Sequence, residues 1–96
     1  MTYRVVYHPD VIEQDLAGID VDVANRIVHA IANKLTSHPA YFGEALRHKY
    51  RGYWKFRVGD YRIIYKIMGQ EIRVYRIGHR RDVNVLSLSR LSWSPS

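Results

Sequence analysis

The side chains best suited to chemistry are concentrated in the second half of this 96-residue chain. Lys55, Arg57 and Arg62 lie in "GYWKFRVGDYRIIYK", and His79, Arg80 and Arg81 follow in "IGHRRDVN". Guanidinium groups stay charged, grip two phosphate oxygens at once and stabilise negative charge as it builds on phosphorus. An ammonium crowded by cations is a candidate base, and an imidazole titrates near neutrality. These types suit the binding or cutting of a phosphodiester. Other chemistries find little support. The chain has no cysteine, which excludes disulfide scaffolds, Cys-based zinc sites and thiol catalysis. His8, His29 and His38 have no ligand spacing, so no metal is expected. No Gly-rich phosphate loop, Ser/His/Asp arrangement or cofactor motif is present.

The elements that carry these cations read as a three-stranded meander. Residues 53–58, 61–68 and 71–79 alternate apolar and polar, and Gly59-Asp60 and Gly69-Gln70 join them. A two-residue loop with Gly first is the signature of a type II′ hairpin. The turns fix the register, and register fixes which side chains share a face. Val58 then pairs with Tyr61, Arg57 with Arg62, Lys55 with Ile64, Lys66 with Arg73, Tyr65 with Val74, Ile67 with Ile72, Ile64 with Tyr75 and Tyr61 with Gly78. One face collects Trp54, Phe56, Val58, Ile63, Tyr65, Ile67, Ile72 and Val74 as core. The other collects Tyr53, Lys55, Arg57, Arg62, Ile64, Lys66, Arg73, Tyr75, Ile77 and His79. Like charges directly opposed cost about 0.2–1 kcal/mol per pair, and here they oppose twice. A phosphate backbone would draw such pairs together. The plain alternative is that these side chains splay into water. Tyr53 and Tyr75 offer stacking surfaces, and Lys49, Arg51, Lys66, Arg73 and Arg81 extend the cationic area along an RNA or DNA backbone.

The first half reads as scaffold. Residues 3–8 form a strand, and Pro9 opens a short helix with Ile12, Leu16 and Ile19 at helical spacing. Asp20 is the N-cap of a longer helix through about Leu35, with Val23, Ile27, Ala30, Ile31 and Leu35 on one stripe. Pro39 ends it. Asp10, Glu13, Asp15 and Asp22 read as a solvated acidic face. Residues 37–52 read as a loop leading into a short edge strand. Glu44 and His48 would add a base only if that loop folds over the cations. Residues 82–91 form a helix capped by Asp82 or an extended segment, and the last five residues a loose tail. The expected architecture is one α+β domain over residues 1–96: strand, two-helix hairpin, three-stranded antiparallel meander, short C-terminal segment. The helices should cover one sheet face and leave the other exposed.

Charge follows the same division. Residues 1–46 carry three Lys/Arg and six Asp/Glu, residues 47–96 twelve and three, within a net charge of +6. So basic a second half points to a polyanion or an acidic protein partner. Nothing resembles a signal peptide or a membrane span, so a cytoplasmic location is expected.

The order of elements, with "R-x-G-D-Y-R-x-x-Y" followed by "G-H-R-R", resembles the RelE/ParE toxin superfamily of type II toxin–antitoxin systems, on its RelE-like branch. The resemblance spans nearly the whole chain. It implies a ribosome-dependent mRNA endonuclease that cuts by 2′-hydroxyl attack on the neighbouring phosphate, without a metal or cofactor. The family's cations fall on Lys55, Arg57, Arg62 and Arg80, with Arg57 where a lysine is common and His79 alongside as a possible acid or base. Asn84 stands where the family often has a tyrosine, and Asn neither stacks on a base nor titrates near neutral pH. The resemblance further implies an acidic, partly disordered RelB-like antitoxin, with ribosome and mRNA as partners. Two other outcomes go with the superfamily: a ParE-like inhibitor of DNA gyrase, or a non-catalytic RNA-binding remnant.

Overall fold

The turns and caps decide where the elements begin and end. The structure, a computed structural model, describes residues 2–83, 86 and 88–95, with the backbone alone at 88. Strand β1 (Arg4–Tyr7) leads into α1 (Val11–Leu16), a single wide helical segment. Helix α2 (Val21–Ala30) starts where expected: the Asp20 carboxylate accepts the Asp22 N–H at 3.2 Å, satisfying one of the otherwise orphaned first-turn donors. It runs on through Ile31–Leu35 with wider hydrogen bonding, the Thr36 N–H donating to the Ile31 carbonyl. A short α3 (Pro39–Phe42) precedes a two-residue edge strand, β2 (Glu44–Ala45). Strands β3 (Trp54–Val58), β4 (Tyr61–Met68) and β5 (Glu71–His79) form the meander, and α4 (Leu88–Leu91) closes the described chain. The sheet order is β1-β5-β4-β3-β2, with β1 parallel to β5 and the other pairs antiparallel.

Both hairpin turns carry positive φ at the glycine, +57° at Gly59 and +62° at Gly69. Among described non-glycine residues only His48 does so, which matches the type II′ geometry. The register between β3 and β4 is as expected, Arg57 opposing Arg62 and Lys55 opposing Ile64. Between β4 and β5 it changes midway. Ile67–Ile72, Lys66–Arg73 and Tyr65–Val74 pair as anticipated, but Ile64 pairs with Arg76 and Tyr61 with His79. A β-bulge supplies the difference, since two residues of β5, Tyr75 and Arg76, occupy the place of one. Beyond it Ile77 and His79 move to the helix-facing side, away from the cations with which they were expected.

That helix-facing side is a dense core. Ile27, Ile31 and Leu35 of the α2 stripe are completely buried against Phe56, Ile63, Tyr65, Ile72, Val74 and Ile77, with Val23 and Ala30 packed at its margin. Val11 takes the inward place in α1 while Ile12 lies outward and exposed; Leu16 and Ile19 pack as expected. The Tyr65 hydroxyl donates to the Pro39 carbonyl across Gly43, where a β-carbon would fall 1.7 Å from that oxygen. Only glycine admits this contact.

The opposite face departs most from expectation. It was expected to be exposed, yet half of it is covered. Tyr53, Ile64 and Tyr75 are buried with Val83 and Leu86 in a second apolar cluster, edged by Leu46, Tyr50, Leu91 and Trp93. The C-terminal residues are therefore no loose tail. Trp93 lies 5.0 Å from the His8 ring and 5.3 Å from Tyr75. The Tyr53 and Tyr75 hydroxyls donate to the Leu91 and Trp93 carbonyls. Asp15, read as part of a solvated face, is a buried anchor: its carboxylate takes two bonds from Arg90, at 2.6 and 3.0 Å, and one from the Ile77 N–H at 2.9 Å. Asp82 belongs to the turn after β5, its N–H donating to the His79 carbonyl at 2.8 Å; residues 84, 85 and 87 of the expected segment lie outside the described residues.

Candidate phosphate-binding site

The uncovered half of this face carries the cations. Arg57 is exposed on β3 and directly opposed by Arg62 on β4. Arg62 is 9% exposed, and its Nη1 donates to the Gly59 and Tyr61 carbonyls at 3.0 Å each. The guanidinium is thus fixed against the first hairpin turn. Arg80 reaches the same turn from the end of β5, its N–H donating to the Asp60 carbonyl at 2.8 Å. Among the described residues no ion pair neutralises Arg57, Arg62, Arg80 or Arg81. Arg57 and Arg62 thus share one corner of the sheet, and the backbone of Arg80 is tied to the same turn.

Lys55 lies one step along β3 on the same face, and β2 brings Glu44 to it. The two residues are cross-strand partners, and the Lys55 ammonium is 3.4 Å from the Glu44 carboxylate. The loop before the meander does fold against the cations at this point. A cleft of about 340 Å³ runs between α2 and this edge, lined by Lys34, Phe42, Gly43, Glu44, Lys55, Phe56 and Arg57. A carboxylate, an ammonium and a guanidinium share its wall.

Other expected site residues lie elsewhere. His79 faces Tyr61 across the strands, with ring centres 5.6 Å apart, and its Nδ1 accepts the Arg81 N–H at 3.2 Å. That nitrogen is engaged in closing the turn, and the bulge puts the ring on the face opposite Arg62. Tyr53 and Tyr75, expected to stack on bases, are 7% and 1% exposed and pack edge to face on each other. Burial pushes both phenols up in pKa, so they remain donors to the C-terminal carbonyls. Arg73 is bound to Glu71 at 2.7 Å, and Arg4 grips the same carboxylate. The Arg73 hydrogen bond, then that of Arg4, holds Glu71 below the usual carboxylate range. Lys66 sits 4.7 Å over the Tyr53 ring, and Lys49 5.2 Å over Tyr50. Arg51 and His48 are exposed in the connecting loop. Asn84 lies outside the described residues.

The family described as "ParE toxin of type II toxin-antitoxin system, parDE" matches residues 5–84. The chain belongs to this toxin family. Its structural likeness within the wider RelE/ParE superfamily is to RelE-type proteins. A chain of the RelBE2 toxin–antitoxin complex from Mycobacterium tuberculosis is 25% identical at a TM-score of 0.78, with 85% of this toxin and 95% of that chain covered. A chain of the archaeal RelE–RelB complex from Pyrococcus horikoshii is also 25% identical, at a TM-score of 0.67, covering 86% and 100%. Free Escherichia coli RelE, in mutant form, is 13% identical at 0.68, covering 86% and 88%, and shows the fold alone. No curated protein sequence matches.

Proposed function

We propose that this toxin is a ribosome-dependent mRNA endonuclease that works without a metal or cofactor. The observation that carries the reading is the opposed Arg57–Arg62 pair beside the Lys55–Glu44 pair. Glu44 takes the proton from the ribose 2′-hydroxyl, whose oxygen then attacks the adjacent phosphorus. Arg57 and Arg62 hold the phosphate oxygens as charge accumulates, a task for which permanently charged, pre-placed donors are effective. Lys55 supplies a proton to the departing 5′-oxygen, and Arg80 stabilises that oxygen as its bond to phosphorus breaks. His79 serves the turn in this scheme. Lys49, Arg51, Lys66, Arg73 and Arg81 contribute long-range attraction for RNA, Arg73 less than the others because Glu71 offsets it.

The natural partner is a cognate antitoxin, acidic and partly disordered, as the RelE–RelB complexes among the structural relatives suggest; the site of action is the cytoplasm. Primer extension on an mRNA translated in the presence of the purified toxin tests the proposal. Cuts within the ribosomal A site, lost in Arg62→Lys, are expected. One observation favours a second reading, since the matching family is the ParE one. A toxin that arrests growth without cutting mRNA and inhibits supercoiling by gyrase would be a binding toxin instead.

A further inference from the structure

An apolar cleft of about 390 Å³ lies away from the cationic corner, where α3 meets β4 and the residue before β1. Tyr3, Pro39, Ala40, Tyr41 and Ile67 line it with Ser37 and His38, and it contains no Asp, Glu, Lys or Arg. Tyr41 is 80% exposed, yet its ring is held in place. It packs edge to face on Phe42 at 5.0 Å, and the His38 ring lies 6.5 Å away. The short helix is itself tied to the sheet by the Tyr65 hydroxyl on the Pro39 carbonyl, the contact that glycine at position 43 admits. A fixed element thus presents to solvent a tyrosine that the core does not use. Exposed apolar groups gathered in one place mark an interaction surface, and tyrosine is among the side chains that anchor protein interfaces.

Charge on either side selects the partner. Thr2 and Met68, the chain neighbours of Tyr3 and Ile67, line a second cleft of about 290 Å³ together with Arg4, Glu71 and Arg73. Two guanidinium groups share the single Glu71 carboxylate there, which leaves positive charge in excess. On the other side Phe42, packed on Tyr41, opens on the cleft that holds Lys34. Among the described residues Lys34 makes no ion pair. The succession basic, apolar, basic complements an acidic segment with a large apolar side chain in its middle. An RNA strand matches it poorly, because every nucleotide brings a phosphate and the apolar cleft has no cation to meet one. We infer that this track docks an acidic protein segment, one large apolar side chain seated beside Tyr41 and carboxylates at Arg4 and Lys34. The inference rests on the acidic-partner reading for the source of the segment and is independent of whether the toxin cuts RNA.

NMR titration of the full chain with two synthetic peptides tests it. One peptide carries a single tryptophan between runs of glutamate, and the other has alanine in its place. The tryptophan peptide should shift the methyl signals of Ala40, Ile67 and Met68 and the side-chain signals of Arg4 and Lys34. The alanine peptide should bind about ten-fold more weakly, the scale of losing one anchor side chain. Tyr41→Ala should weaken the tryptophan peptide by about the same factor, and Tyr41→Phe should stay within about two-fold of the parent. Because Tyr41 is exposed, the amide spectrum outside α3 should not change in either variant. Equal affinity for the two peptides, shifts confined to Arg57 and Arg62, or unchanged affinity in Tyr41→Ala overturns the inference. So does a single-stranded oligoribonucleotide that moves the same three methyl signals. A cognate antitoxin that binds the parent and Tyr41→Ala equally overturns the inference and leaves the acidic-partner reading standing. A toxin that takes the tryptophan peptide as expected but pairs with no acidic antitoxin keeps the docking surface and loses that reading.

Discussion

The two faces of the sheet are closed by different means. On one, α2 lays three wholly buried aliphatic residues over six residues of the strands, and the contact is spread evenly. On the other, a short C-terminal stretch is pinned at separate points: the Asp15–Arg90 pair, two tyrosine hydroxyls on backbone carbonyls, and Trp93 against His8. Distributed apolar burial resists single losses only in part, because each deletion leaves a cavity. Directional pins concentrate stability in a few groups, so each pin can be removed separately. The cations of the candidate site lie where the pinned cover stops.

Substitutions should separate the two closures by size and by location. Ile31→Ala, in the middle of the helical contact, should cost about 3–4 kcal/mol and lower the urea midpoint of the whole domain. Asp15→Ala removes the carboxylate that pairs with Arg90 and accepts the Ile77 N–H, and should cost about 3 kcal/mol. Its distinguishing mark is local: proteolysis and hydrogen exchange should rise over residues 86–95 before they rise in α2. If both substitutions instead loosen all regions together, the two closures form one cooperative unit.

Arg57→Ala tests the cationic corner. The side chain is exposed, so stability should change by less than about 0.5 kcal/mol. Under the endonuclease proposal the cutting rate should fall about 100-fold, the usual scale for losing one pre-placed charge-stabilising donor. The smallest effect belongs to Tyr65→Phe. Loss of the bond to the Pro39 carbonyl should cost about 1 kcal/mol at neutral pH. Burial raises the pKa of this phenol in the folded protein, whereas in the unfolded chain it ionises near about pH 10. Its contribution is therefore complete below about pH 10 and declines as pH rises further. Denaturation midpoints at pH 7 and pH 10.5 should differ less in Tyr65→Phe than in the parent.

Local signals made much of this legible. Asp20, the α2 stripe, the Gly59 and Gly69 turns and the Arg57–Arg62 register all depend on residues close in sequence, and the fold follows them. The bulge was less visible, although Val74 and Ile77, two inward residues three positions apart, break the period of two. The burial of Tyr53 and Tyr75 depends on what packs over them; Leu86, Leu91 and Trp93 hinted that the last residues needed an apolar surface. Asp15 and Arg90 are 75 positions apart, and nothing near either residue announces the other. The Glu44–Lys55 contact likewise required the two-residue strand β2, too short to leave a period.

The bulge opposite Ile64 and Tyr65 has a consequence for how the gene can change. Deleting one residue between Val74 and Ile77 would turn β5 into an even ladder and carry every later side chain to the other side. Ile77 would leave the core for the cationic corner, Gly78 would face α2, and the turn that holds Arg80 would start from the wrong side of the sheet. This strand should accept many substitutions at its outer positions, yet a single codon gained or lost there would disable the core and the site together.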